Sequence, residues 1–557
     1  MKTSVIKIFI SCIIIVLVSF FVFGRTLSSG FIYWDDDVHI TANPSVYNPS
    51  FKDILNLWTK PHNIALTRTL WSLLAKFNNL LKRDTLDPFI FHLTNITFHS
   101  LSMIIVFFIV FIITGSIFKS LLAGLIFGVH PLQTEAVCWA SGLKELLSGF
   151  FALFSILFFL CSEKTEDKRK EYFFTLISFL LFLLSLSSKT TSLTLPFVIL
   201  FISKKEESLY KKILKLSVFF ILSILAALLA PTLQLETKLN FIPDLFQRIV
   251  LIGESFFFYL QKFFLPFKLI PHYDRLPQVV LSSFYIFFKS IAGWIVIFIT
   301  IIFVKKYKWL KSFVVFFLFL LPVLGFIPFI YQSFSLTADR YAYLALLGPA
   351  LVVLDINDKF FKKSILFIVI VILFWSILSY RQSGFWKDTV SLFTYTVKVN
   401  PQSWVAYNNL GVAVARKDPL KSIEYFNKAL LCRKELNPDL ATSYYNLGLS
   451  FARIGDLKNA KTNWNKAVQI KPSMVKAWNN LGLLNERENN FLDALFCFKK
   501  SLELEPENPD ILYHASLCTF YLRDFYQSKL FIEKACKLKP ENLQYLELLK
   551  QIQNIQR

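Results

Sequence analysis

"YYNLGLSFARIGDLKNAKTNWNKAVQIKPSMVKAWNNLG", residues 444–482, contains its own echo: "YYNLG" at 444–448 returns as "WNNLG" at 478–482. The interval is 34 residues, and Pro438, Pro472, Pro506 and Pro540 stand at the same spacing. Ala460, Trp464 and Ala467 in one copy correspond to Ala494, Phe498 and Ser501 in the next. "YNNLG" at 407–411 opens an earlier copy, with three residues inserted before Pro438. Such a period implies stacked helical hairpins, in which small residues let two helices touch and a large aromatic fills the space beside them.

This is the tetratricopeptide pattern. It predicts a domain over 385–557, with a half-repeat helix at 386–400, four repeats over about 403–540 and a capping helix at 541–557. An array of this kind buries its core only by stacking, and its concave face suits an extended peptide. It is a platform for a protein acceptor or partner, and not a catalyst.

Upstream the composition changes. The whole chain of 557 residues is 55% hydrophobic and 18% charged, with 62 Phe. Soluble domains are typically about 45–50% apolar and about 25% charged, so residues 1–384 read as a multi-spanning membrane domain. The formal charge of +22 is then loop charge that orients helices, and no nucleic-acid-binding signature accompanies it. The seven cysteines show neither CxxC nor metal-ligand spacing. Cys12 and Cys161 lie at or within apolar spans, and Cys432, Cys497, Cys518 and Cys536 lie in the helical C-terminal region, so core thiols are expected.

Apolar runs long enough to cross a bilayer occur near 5–24, 89–113, 119–135, 142–161, 172–188, 190–203, 213–231, 285–304, 312–330, 341–355 and 364–380. The first has an apolar core of about 19 residues, against about 7–15 in a signal peptide, and reads as an uncleaved helix. The run at 251–267 is interrupted by Glu254, Gln261 and Lys262. Lys2 and Lys7 place the N-terminus in the cytoplasm, which puts Lys119, 163–170 and 204–212 inside as well. A spanning 251–267 would put the basic stretches 305–311 and 359–363 outside, so it is expected to be re-entrant or interfacial. The expectation is about eleven spans, with the N-terminus in and the repeats out.

With that topology the unusual polar residues face outward. "FIYWDDDVHITANP" (31–44) sets Asp35, Asp36 and Asp37 beside Tyr33 and Trp34. The run reads either as a solvated turn or cap, or as a general base whose neighbouring acid holds a proton or a cation. "GVHPLQTEAVCWASGLKELL" (128–147) brings His130, Glu135, Lys144 and Glu145 between two spans. A lone interfacial lysine is often an anchor, but here it has company. "TADRYAYLALLGP" (337–349) places Arg340 at an outer helix end, with either Asp339 or a lipid phosphate as its partner. Arg68 and Lys189 add outward cations.

Outward carboxylates and outward cations together suit transfer from a phosphate-activated, lipid-linked donor: the acid deprotonates an acceptor hydroxyl and the cations stabilise the leaving phosphate. No Gly-rich phosphate loop, HExxH or GxSxG is present.

An acidic pair after the first span, "FHLTNITFHS" (91–100), "HPLQTEAVCWASGLKELL", "SSK", "ADRYAYL" and trailing repeats follow one another along almost the whole chain. In this order they resemble the transmembrane and tetratricopeptide-repeat O-mannosyltransferases and their bacterial relatives, within the GT-C glycosyltransferases. The resemblance implies a GT-C-type helical membrane domain, a polyprenyl- or dolichyl-phosphate-sugar donor and protein hydroxyl acceptors. It implies that Asp35 and Asp36 supply the catalytic base, and its motifs match His130, Glu135, Lys144, Glu145, Asp339 and Arg340; from the residues themselves Glu135 is the next candidate base, and Arg340, Lys144, His130, Arg68 and Lys189 are the candidates for the donor phosphate. Two positions depart from the family pattern: Thr190 stands where Glu is usual after Ser-Lys, and Thr69 follows Arg68 where Pro is usual.

The leading reading is therefore an inverting glycosyltransferase that moves a sugar, mannose by the resemblance, onto Ser or Thr of proteins at the outer face of a cytoplasmic membrane, or at the lumenal face of the endoplasmic reticulum in a eukaryote. The acidic pair admits a divalent cation, and no other cofactor is implied. The alternative is a non-catalytic membrane scaffold whose repeats recruit a partner for envelope assembly. An oligosaccharide ligase or lipid-modifying transferase of the same fold is a third.

Overall fold

The structure is a computed structural model that describes all residues except 1, 48, 60–63, 82–85, 204–207, 230–240, 308, 327–328, 355–357, 433–439 and 557. Pro438 and the insertion before it lie outside the described residues. Among the described residues every regular element is helical and there is no strand. The chain divides into two compact units, Met1–Pro401 and Gln402–Arg557.

That division falls later than the expected boundary at 384/385, so the Thr389–Val399 helix, capped by Asp388 accepting from the Ser391 N–H at 2.7 Å, lies in the first unit. Its surroundings explain why. The Gly30 N–H donates to the Lys387 carbonyl at 2.9 Å, the Tyr33 N–H donates to Thr389 Oγ1 at 2.8 Å, and Asn400 Nδ2 donates to Asp274 Oδ2 at 2.9 Å. These bonds tie 384–400 to loops of the membrane unit.

Among the described residues, six helices of the first unit are long and apolar enough to cross a bilayer: Ser4–Ser28, Pro88–Thr114, Ala140–Lys164, Lys168–Ser188, Tyr285–Phe303 and Ser364–Lys387. Two bent pairs, Ile117–Val129 with Pro131–Cys138 and Leu209–Lys215 with Ser217–Leu229, raise the number to eight if each is one span. The chain is a multi-pass membrane protein.

The expected eleven differ at places the sequence period could not resolve. Residues 190–203 yield only the Leu195–Ile202 helix, 312–330 yields Leu310–Val323, and 341–355 breaks into short turns around Leu347–Leu351. Residues 251–264 of the 251–267 run lie in one unbroken helix, Leu245–Phe264, of 20 residues, about 30 Å long, and 265–267 lie beyond its end. Its Glu254 is buried and bonded to Arg275, which is how a charge is carried on an otherwise apolar helix. This helix meets Tyr285–Phe303 backbone to backbone: a Cβ on Gly293 would come within 2.0 Å of the Gly253 carbonyl oxygen.

Between the long helices lie single-turn helices, Pro131–Gln133, Ala140–Gly142, Thr190–Ser192 and Asp339–Ala342. The tightest needs a glycine: a Cβ at Gly142 would lie 2.1 Å from the Ala136 carbonyl oxygen. Glu135, Lys144, Glu145, Lys189 and Arg340 all sit on or beside these turns.

The second unit is built from helix pairs: Trp404–Val414 with Pro419–Leu431, Leu440–Arg453 with Leu457–Ile470, Val475–Arg487 with Phe491–Leu504, and Pro509–Tyr521 with Phe525–Leu538, followed by Leu543–Gln556. One joint recurs. Phe426, Trp464 and Phe498 each press on a glycine of the preceding helix, Gly411, Gly448 and Gly482, leaving no room for a Cβ. Gly455, Asn489 and Arg523, 34 residues apart, turn the last three hairpins with φ of 84°, 61° and 64°.

Candidate functional site

A buried ionic cluster forms where the single-turn helices meet. Arg340 reaches Glu135 twice: its backbone N–H donates to Oε2 at 2.9 Å and its guanidinium Nη1 donates to Oε1. Its Nε faces Glu145 Oε1 at 3.6 Å. Glu145 Oε1 also accepts from Lys189 Nζ. Aromatic rings enclose the cations. The Arg340 Cζ lies 4.5 Å from the Tyr331 ring centre, 5.1 Å from Tyr341 and 5.4 Å from Trp139, and Lys189 Nζ lies 4.9 Å from Tyr341. Burial first, and then the charges of Lys144 and Arg340, push the Lys189 ammonium down to about 8 against the pull of Glu145.

Among the described residues, Glu145 Oε2, Trp139 Nε1, Arg68 Nε and the Tyr331 hydroxyl are buried at this cluster and its border without a hydrogen-bond partner, as are polar atoms elsewhere in both units.

Asp35 borders the cluster. Its Oδ2 lies 3.6 Å from Lys144 Nζ, and its side chain remains 35% exposed. Lys144 in turn lies 4.8 Å from the Trp139 ring centre. Asp36 is different. It is fully buried, its Oδ1 accepts from the Ser141 N–H at 2.9 Å and hydroxyl at 2.5 Å, and its Oδ2 accepts from the Ile32 N–H at 2.8 Å. It clamps the loop after the first helix to the Ala140–Gly142 turn. Both of its oxygens are engaged by protein donors. Burial pushes its carboxyl up to about 6, with the Ser141 and Ile32 hydrogen bonds opposing.

Asp37 is also no solvated bystander: its Oδ1 is buried without a partner, and burial raises its carboxyl. Among the described residues no group of three or more His, Cys, Asp or Glu is disposed to hold a metal ion.

His130 and Asp339 are taken up elsewhere. The His130 ring is boxed by Phe263 and Trp375; its Nε2 meets the Phe263 carbonyl at 3.1 Å and its Nδ1 accepts from the Leu132 N–H at 3.2 Å. It caps the helix break and has no nitrogen left for a phosphate. Asp339 is not the partner of Arg340; it accepts from the Tyr273 hydroxyl at 2.8 and 3.0 Å. Arg68 lies half-buried on the Ala65–Leu80 helix, which Thr67 ties to the Ser188 carbonyl beside Lys189 by a 3.4 Å bond. Thr190 begins the turn that follows Lys189.

His39 was not marked by the sequence reading. Its ring stacks on Trp71 at 5.7 Å, and the charges of Lys144, Asp35, Arg68 and Glu145 all act on it. Burial, then the Lys144 charge, push it down to about 4, so it is a neutral imidazole beside Asp35. Its spacing of four from Asp35 within one helical turn was the available signal.

With this geometry in view, the tetratricopeptide repeat family model matches residues 441–474 and 475–508. The curated proteins similar to this chain are protein O-mannosyl-transferases. Protein O-mannosyl-transferase Tmtc2 of Drosophila melanogaster is 28% identical over 158 residues, covering 27% of this chain and 16% of the relative. Protein O-mannosyl-transferase TMTC3 of Homo sapiens is 30% identical over 157 residues, 26% of this chain and 16% of the relative. A protein O-mannosyl-transferase of Caenorhabditis elegans is 25% identical over 320 residues, 55% of this chain and 45% of the relative. The chain thus matches less than half the length of these curated relatives. The resemblance read from the motifs agrees with them. Among solved structures, YrrB, a tetratricopeptide repeat protein, is similar with a TM-score of 0.26 and 20% identity over 29% of this chain and 82% of its own.

Proposed function

We propose that this protein is a membrane glycosyltransferase of GT-C type that transfers mannose from a polyprenyl-phosphate donor to Ser or Thr hydroxyls of proteins, with inversion. One observation carries the reading: a partly exposed carboxylate, Asp35, stands 3.6 Å from the first of several cations gathered around buried aromatic rings. In this reading Asp35 accepts the proton of the acceptor hydroxyl as the oxygen attacks the sugar's anomeric carbon from the face opposite the phosphate. The bond to phosphate breaks, and Lys144, Lys189, Arg340 and Arg68 receive the leaving charge. Glu135 and Glu145 hold Arg340 and Lys189 in place so that no reorganisation is needed as charge develops. Asp36 shapes the loop. The site faces the outside of the cytoplasmic membrane, the N-terminus is cytoplasmic, and the repeats recruit the acceptor protein.

The test is transfer in membranes: farnesyl-phosphate mannose is supplied with a Ser/Thr-rich peptide, and the glycopeptide is read by mass spectrometry. Transfer by the unaltered protein and its loss in Asp35→Asn support the reading. No transfer, together with retention of partner proteins by the repeats, supports the scaffold instead.

A further inference from the structure

Resting on that reading, we infer that His272 donates a hydrogen bond to one hydroxyl of the transferred sugar. His272 is 1% exposed, and its Nε2 is buried without a partner. The ring is oriented by its neighbour two residues on. The Asp274 N–H donates to Nδ1 at 3.2 Å, and the Asp274 carboxylate lies 3.2 Å from the same nitrogen. With Nδ1 accepting from the Asp274 N–H, the ring carries its proton on Nε2, which is then an N–H donor.

The segment that holds this ring is costly to build. Lys268 and Asp274 adopt φ of 55° and 49°, conformations that non-glycine residues rarely hold. Asp274 is fixed by Asn400, which donates to Oδ2 at 2.9 Å.

Its position connects two parts of the site. On one side His272 lies 5.7 Å from the ring of Trp34, the neighbour of Asp35, and Trp34 is itself stacked on Phe393 at 5.4 Å. On the other it lies 6.2 Å from Tyr331, the ring nearest the Arg340 guanidinium. In that reading the cations take the phosphate, and a hydrogen-bonding nitrogen bordered by aromatic rings suits a hydroxyl, whose C–H neighbours pack on the rings.

A site that hydrogen-bonds a substrate hydroxyl rejects the analogue lacking it, which supplies the test. Wild type and His272→Phe are compared with farnesyl-phosphate mannose and with its 2-, 3-, 4- and 6-deoxy forms. Expected is a fall in kcat/KM of about a hundredfold or more for the full donor in His272→Phe. For one deoxy donor, wild type and variant should agree within about threefold, because the bond is already absent. His272→Gln keeps an N–H donor in a shifted position and serves if the Phe variant does not accumulate; it must show the same selectivity for one hydroxyl. An equal loss with all four deoxy donors, or no loss with the full donor, overturns the assignment while leaving the glycosyltransferase reading standing. No transfer by the unaltered protein overturns both.

Discussion

Glu135 and Arg340, separated by 205 positions, meet through both the backbone and the side chain of the arginine. One carboxylate therefore fixes the Asp339–Ala342 turn and aims the guanidinium at the same time. The remaining edge of the guanidinium turns toward Glu145, which also holds Lys189. Two cations and two carboxylates are thereby locked together in one buried cluster.

This arrangement predicts unequal effects of substitutions at the pair. Arg340→Lys keeps the charge and the backbone bond but loses the planar fork, and should cost about 1–3 kcal/mol of stability. Glu135→Ala leaves a buried guanidinium without its main partner and should cost about 3–5 kcal/mol. Thermal unfolding of detergent-purified protein reads both. A Lys variant with unchanged melting and unchanged use of donor would show that the fork is unnecessary.

The adjacent aspartates separate chemistry from architecture. Asp35→Asn should reduce transfer by about 10²–10⁴, the usual loss for a positioned general base, with little change in melting. Asp36→Ala should instead lower stability by about 1–3 kcal/mol, because it strands the Ser141 and Ile32 donors it now satisfies. Equal kinetic losses at unchanged stability in the two variants would contradict this division.

How much of this was legible beforehand follows from the kind of signal involved. The 34-residue period repeats the same glycine–aromatic joint, so the repeats could be read from spacing alone. Glu135, Lys144, Lys189 and Arg340 stood out because charge on an apolar chain needs a reason, and the structure does bring them together. Asp35 and Asp36 could not be told apart, since nothing in "WDDD" reveals that Ser141, 105 residues away, fills one of them. The surroundings of His130 were hidden for the same reason: Phe263 and Trp375 are remote in sequence. Hydropathy alone also hid the broken helices at 190–203 and 341–355, where apolar residues line short turns.

The hairpin turns of the repeats predict a stabilising change. Gly455, Asn489 and Arg523 share a left-handed conformation, and only the first is glycine. A side chain there costs about 1–2 kcal/mol, partly offset by the greater freedom glycine gains when unfolded. Arg523→Gly should therefore raise stability by up to about 1 kcal/mol, seen as a higher melting temperature of the full chain. A lower melting temperature would mean that the arginine side chain makes contacts outweighing the strain.

Lys189 predicts opposite responses of activity and stability to pH. Its ammonium, held down to about 8 chiefly by burial, is charged below that pH and neutral above it. Donor use, measured as kcat/KM, reports the free protein and should fall as pH rises through about 8, because a cation for the leaving phosphate is lost. Stability moves the other way. Between about 8 and the ordinary value of 10.5 the unfolded chain holds a proton that the folded chain has released. Stability must then rise with pH in that window, by at most on the order of 3 kcal/mol. Falling activity with an unchanged or rising melting temperature therefore identifies titration in the site and excludes alkaline unfolding. Lys189→Arg keeps its charge throughout and should carry the alkaline limb to higher pH. If the limb stays at the same pH in the Arg variant, a different group is titrating and Lys189 is only the partner of Glu145.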